Sequence, residues 1–231
     1  MKEKISFAPR GDDAVQITFG NEINENTNQE IRKYLFALKK ENILGIIETI
    51  PSYCHLNVIY DNEKYYYEEI LDILHDIKEN FSVLEVPEAR VVKIPVLYGG
   101  EYGPDLQNVA SHNSLTPQKV IDYHSSKEYL VYMLGFTPGF PYLGGMDERI
   151  ATPRLKEPRE KIWAGSVGIA GNQTGIYPIE SPGGWQIIGR TPWKLFDINR
   201  NPEILLQAGD FISFYPITLE EFKNLEGDNN E

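Results

Sequence analysis

The feature that most restricts this chain is a glycine-, proline- and aromatic-rich stretch over 134–197. Eleven of its 19 glycines fall between Gly135 and Gly189, under a quarter of 231 residues. Glycine at that density disfavours helix, and proline removes donors from any central strand ladder. The stretch is therefore predicted to fold as short strands joined by tight turns, the pattern of a closed or nearly closed β-barrel. Strands are predicted at 129–134, 166–170, 175–177, 185–189, 195–197 and 211–215, with Gly171-Asn172 as a hairpin turn.

The preceding residues have other periodicities. Short strand-like runs at 5–8 and 14–19 flank a turn at 9–13. Residues 26–40 follow a helical repeat with Ile31, Tyr34, Leu35 and Leu38 on one face and Gly45 as the stop. Strands are predicted at 46–50, 55–60 and 90–96, and a second amphipathic helix at 65–80 with Ile70, Leu71, Leu74 and Ile77 inward. Two short helices follow at 105–112 and 116–124, the second opened by Thr116 as cap and Pro117 in the first turn. The predicted fold class is α+β: a small two-layer α+β sandwich over 1–92, then a β-barrel domain over 93–231. The polar tail 224–231 is predicted to fray.

Net charge is −12, with 22 Lys and Arg against 34 Asp and Glu, and this argues against a nucleic-acid partner, since phosphate binding needs a basic surface. Cys54 is the only cysteine, so no intrachain disulfide is available. Its place in a strand predicts a buried structural thiol in a reducing, cytoplasmic compartment. Neither a signal-peptide core nor an apolar run near the ~20 residues of a membrane helix is found, so no membrane partner is expected.

Several strings within 134–197 bear on chemistry. In Gly-Phe-Thr-Pro-Gly-Phe-Pro-Tyr-Leu (135–143), Pro138 and Pro141 fix φ, so Phe140 and Tyr142 are held either as pocket walls or as a cap over a barrel corner. Arg154 and Arg159 each follow a proline; such guanidinium forks suit a carboxylate or phosphate ligand, or an acidic residue of this acidic chain. The stretch 164–178 lacks both the P-loop lysine and the G-x-G-x-x-G spacing. Its Gln173 and Tyr177 offer polar groups either to a cavity or to barrel packing. Ser-Pro-Gly-Gly-Trp (181–185) and Gly-Arg-Thr-Pro (189–192) set Gly183 and Gly184, candidates for a backbone N–H nest, near Trp185 and Arg190. Ser181 lacks the G-x-S-x-G elbow of a serine hydrolase. None of the four histidines has metal-ligand spacing. His124, closing a short helix before the Phe136 loop, is either a general acid or base or a partner of the helix dipole.

Taken in order, these strings resemble the PxpB/KipI family, also called allophanate hydrolase subunit 1. The resemblance includes Gly-Gly-Glu-Tyr-Gly-Pro-Asp-Leu (99–106), Ala-Gly-Ser-Val-Gly-Ile-Ala-Gly (164–171), Gln-Thr-Gly-Ile-Tyr-Pro (173–178) and Gly209-Asp210. It covers nearly the whole chain and is strongest over 96–216. It implies a small N-terminal α+β domain and a cyclophilin-like β-barrel. It also implies a component of an ATP-dependent 5-oxoprolinase, a hydrolase that opens the lactam of 5-oxoproline to glutamate. Activity is expected only with PxpC-like and PxpA-like partner subunits. ATP rests on the resemblance alone, because the chain has no nucleotide motif. Similar domains include urea-carboxylase carboxyltransferase components and KipI-type inhibitors of a sporulation histidine kinase, which stand as alternative roles. On this resemblance, His124, Arg154, Arg159, Gln173 and Arg190 form the catalytic set. Phe140, Tyr142, Tyr177, Gly183, Gly184 and Trp185 contact substrate, around one pocket or subunit interface without metal.

Overall fold

The computed structural model describes residues 5–81 and 84–228, and the chain divides into two units between Glu88 and Ala89. In the first unit, β1 (Ser6–Pro9), β2 (Ala14–Thr18), β3 (Ile46–Pro51) and β4 (His55–Tyr60) form an antiparallel sheet in the order β1-β2-β4-β3. Strand alternation sends Val15, Ile17, Leu56 and Val58 inward. Helices α1 (Glu25–Glu41) and α2 (Tyr67–Asn80) complete that core with Ile31, Tyr34, Leu38, Ile70, Leu74 and Ile77. Leu35 and Leu71, expected beside them, are only half-buried. The first helix stops before Gly45, because Asn42 adopts a left-handed φ of 46° and its N–H caps the Leu38 carbonyl. Cys54 is buried in this unit.

The second unit holds β5 (Val91–Tyr98), β6 (Glu128–Leu134), β7 (Pro141–Gly144), β8 (Arg159–Ile162), β9 (Ser166–Ala170), β10 (Gln173–Ile176), β11 (Ser181–Gly183), β12 (Gln186–Arg190) and β13 (Phe211–Pro216). Seven of these strands make one sheet, ordered β10-β9-β12-β5-β13-β6-β7. Its two end strands, β10 and β7, lie against each other, so the sheet curls into a nearly closed barrel. The strand β5 belongs wholly here, paired in parallel with β13 from Val91↔Phe211 onward, so a boundary at 92/93 would cut a ladder. Asp210, 5% exposed, fastens the start of that ladder by accepting from Arg90 Nε at 3.0 Å. Ile94, Val131, Val167, Ile188 and Phe214 fill the barrel, and α3 (Leu106–His112) and α4 (Pro117–Ser125) add Val109 and Val120.

Three departures from the sequence expectations have physical causes. Strands β7, β8 and β11 form beside or across Pro141, Pro158 and Pro182, residues that read as turns because proline cannot donate to a ladder. Residues 195–197 form no strand, only a single bridge between Phe196 and Ile204. Arg200 organises that loop by donating to the carbonyls of Lys194, Leu195, Pro202 and Glu203. The tail is helical through α5 (Leu219–Asp228) rather than frayed, because Phe222 is fully buried and Glu221 accepts from the Thr218 N–H at 2.7 Å; residues 229–231 lie outside the described residues. No helix among the described residues is long and apolar enough to cross a membrane.

Candidate functional site

Five of the expected substrate-contact residues gather in the second unit. Phe140 meets Tyr142, Tyr177 and Trp185 edge to face, with ring centroids 5.4, 5.6 and 5.7 Å apart. Glycine is required twice around them. A Cβ on Gly175 would stand 3.1 Å from Trp185, and one on Gly183 would stand 2.5 Å from the Tyr177 hydroxyl. With Ile162, Ala170 and Ile187 these rings form a small second core, in which Phe140 is 4% and Tyr177 3% exposed. Tyr142 is the half-buried member, packed against the others.

Burial pushes the Tyr177 phenol up to about 12, opposed by the Arg154 charge, a hydrogen bond from the Trp185 backbone and the Arg159 charge. It is therefore a neutral hydrogen-bonding group at ordinary pH. Arg154 itself is exposed, and Gln173 opens β10 opposite Ala170 of the small core. Neither Gly183 nor Gly184 has a positive φ, so the expected nest of converging N–H groups does not form. The Gly184 carbonyl instead accepts from the Leu155 N–H at 2.7 Å. Ser181 Oγ has no hydrogen-bond partner among the described residues, so no base activates it.

His124 lies elsewhere, fully buried against Tyr129 and Phe214 in the barrel. The Thr174 hydroxyl donates to the Gly168 carbonyl at 3.1 Å, so it accepts from His124 Nε2 at 2.8 Å. That leaves Nδ1 to accept from the Tyr98 hydroxyl at 2.8 Å. Burial lowers the imidazole pKa from 6.5 to about 3. A neutral ring with both nitrogens engaged ties α4 to β5 and β10. This geometry gives a structural clamp, not a proton carrier open to substrate.

Arg159 and Arg190 do converge. They line a groove of ≈ 410 Å³ together with Glu101, Tyr102, Lys161 and Trp163. Period-two alternation through and beyond β8 puts Arg159, Lys161 and Trp163 on one side of the strand. Arg159 Nη2 donates to Asp105 Oδ1 at 2.7 Å, and Nη1 donates to the Trp185 carbonyl at 3.5 Å, which links groove and aromatic cluster. Asp105 is 7% exposed and its other oxygen takes the Ile187 N–H at 2.6 Å. Arg190 Nε donates to the Ala164 carbonyl at 2.8 Å. Each guanidinium is thus fixed along part of its edge and keeps further N–H groups for an anion. Sequence reasoning passed over Asp105, Lys161 and Trp163. The 159/161/163 alternation was the available signal for the last two.

Residues 5–206 match the family described as carboxyltransferase domain, subdomain C and D. The chain is 45% identical to a 5-oxoprolinase subunit of Bacillus subtilis (strain 168), over the whole of both chains. A crystal structure of a conserved uncharacterized protein from Pyrococcus horikoshii shares 48% identity over 94% of this chain and all of that one, with a TM-score of 0.57. The urea carboxylase of Kluyveromyces lactis, 21% identical over 98% of this chain and 23% of that one, shares the fold with a TM-score of 0.71. The chain belongs to the carboxyltransferase subdomain C and D family and, within it, to the PxpB/KipI group that includes this 5-oxoprolinase component.

Proposed function

We propose that this chain is the PxpB-type component of a cytoplasmic, ATP-dependent 5-oxoprolinase that cleaves 5-oxoproline to glutamate together with PxpC-like and PxpA-like subunits. The observation that carries this reading is the 45% identity along the full length of a 5-oxoprolinase subunit. The chemistry of the groove supports it. 5-Oxoproline bears a carboxylate and a lactam carbonyl that resists attack by water. ATP, when bound, supplies a phosphoryl group that activates the lactam oxygen. The donors on this chain fit such anions: Arg159 held by Asp105, Arg190 held by the Ala164 carbonyl, and Lys161 in the same lining. Preset cations stabilise developing charge without reorganising during the reaction. The cluster of Phe140, Tyr142, Tyr177, Gly183 and Trp185 keeps the neighbouring wall dry and rigid. Exposed Arg154, half-buried Gln173 and Gly184 stand at its margin, available to a partner subunit. A mixture of the three subunits with ATP and 5-oxoproline should release glutamate. An unchanged rate when this chain is left out would refute the assignment.

A further inference from the structure

We infer that Arg154 and the Tyr177 phenol, neither of which lines the cationic groove, form a separate subsite that holds the carboxylate of a small-molecule substrate. Naming that substrate 5-oxoproline rests on the 5-oxoprolinase reading. The barrel unit carries six arginines. Arg90 donates to Asp210, Arg149 to Asp147, Arg159 to Asp105, Arg190 to the Ala164 carbonyl and Arg200 to the carbonyls of its own loop. Arg154 alone of the six makes no hydrogen bond or ion pair among the described residues. In a chain with 34 Asp and Glu, a guanidinium left with its whole edge open stands out.

The backbone beneath that side chain is tied on both sides. Thr152 and Gly171 exchange N–H···O bonds of 3.1 and 2.7 Å. The Pro153 carbonyl accepts from Gln186 Nε2 at 2.9 Å, and Gln186, 4% exposed, accepts in turn from Asn108 at 2.8 Å. The Leu155 N–H donates to the Gly184 carbonyl at 2.7 Å. A planar fork on a fixed backbone loses less freedom when it grips a ligand.

The same ties bring Arg154 to Tyr177. Gly183 adjoins the Gly184 that holds Leu155, and a Cβ on Gly183 would stand 2.5 Å from the Tyr177 hydroxyl. The Arg154 charge is felt at that phenol, and the Trp185 N–H bonds the phenolic oxygen. The O–H proton of this 3% exposed tyrosine is thus left without an acceptor among the described residues. One cation and one neutral donor match the two oxygens of a singly charged carboxylate. A phosphate would call for a second cation, and the nearest, Arg159, is turned to Asp105. Half-buried Tyr142, packed on the same cluster, offers an apolar surface to the methylene groups of a small lactam ring.

The test is steady-state turnover by the three-subunit assembly, with 5-oxoproline and with 5-oxoprolinamide, the analogue whose carboxylate is a neutral amide. Arg154→Gln should raise the KM for 5-oxoproline by about tenfold to 100-fold, the scale of a charge-assisted hydrogen bond, and leave the KM for ATP unchanged. Arg154→Lys should recover only part of the loss, because the fork is gone, and Tyr177→Phe should raise the KM severalfold. The native assembly should prefer 5-oxoproline to its amide by a similar factor, and Arg154→Gln should erase that preference. A preference that survives in Arg154→Gln would overturn the inference and leave the 5-oxoprolinase reading standing. Failure of that variant to co-purify with its partners would also overturn it, by assigning Arg154 to a subunit contact. An assembly that opens no 5-oxoproline removes the 5-oxoprolinase reading instead. The subsite is then tested with isotope-labelled acetate on the intact chain, followed by nuclear magnetic resonance line broadening: saturable binding lost in Arg154→Gln upholds it, and no saturable binding overturns it as well.

Discussion

Asp105 decides where Arg159 points. Its carboxylate is buried and joins a guanidinium 54 residues away to the backbone of β12. Removing one partner of such a pair leaves an uncompensated charge. Asp105→Ala should therefore cost about 2–3 kcal/mol, a buried-pair penalty reduced because Arg159 is partly exposed, and urea unfolding measures it. His124 makes a second residue-scale prediction. The unfolded imidazole takes up a proton as pH falls through 6.5, whereas the folded ring resists until about 3. Across that window the unfolded state binds more protons, so stability is present above pH 6.5 and is lost as pH falls toward 3. Denaturation midpoints measured from pH 7 to 4 should fall, and less steeply in His124→Gln. Neither role was legible in the sequence. Asp105 lies in a turn-rich string and His124 at a helix end, and both signatures belong equally to exposed residues.

Among the elements, helices and alternating strands were the most legible. The repeat of Ile31, Tyr34 and Leu38, or of Ile70, Leu74 and Ile77, admits one periodicity and hence one buried face. The short strands β8 and β11 were obscured because Pro158 and Pro182 carry the same signal in a turn as at a strand edge. Yet β8 supplies two cations of the groove, so the missed element also lines the candidate site. The helix α5 was obscured by its polar composition; a single buried ring, Phe222, packed on Tyr102 with centroids 4.8 Å apart, anchors it. Phe222→Ala should destabilise the second unit by about 3–4 kcal/mol, read as a lowered melting temperature. Gly183→Ala should also destabilise, since its methyl group meets the Tyr177 hydroxyl; Tyr177→Phe should restore part of the loss in the double variant.

At the scale of the whole molecule, a chain with net charge −12 gathers cations along one groove of its barrel unit. The chain that carries this groove is similar along its full length to a protein named as a 5-oxoprolinase subunit. Single motifs left pocket and packing equally open. Their order along the chain identified the family, and the structure separated the packed aromatics from the cationic lining. The most direct measurement is glutamate release from 5-oxoproline and ATP by the three-subunit mixture, comparing the native chain with an Arg159→Gln, Arg190→Gln double variant that still co-purifies with its partners. The expected result is a loss of about 100-fold or more in turnover, the scale of removing preset charge stabilisation. Turnover equal to that of the native chain would contradict the placement of the site in this groove.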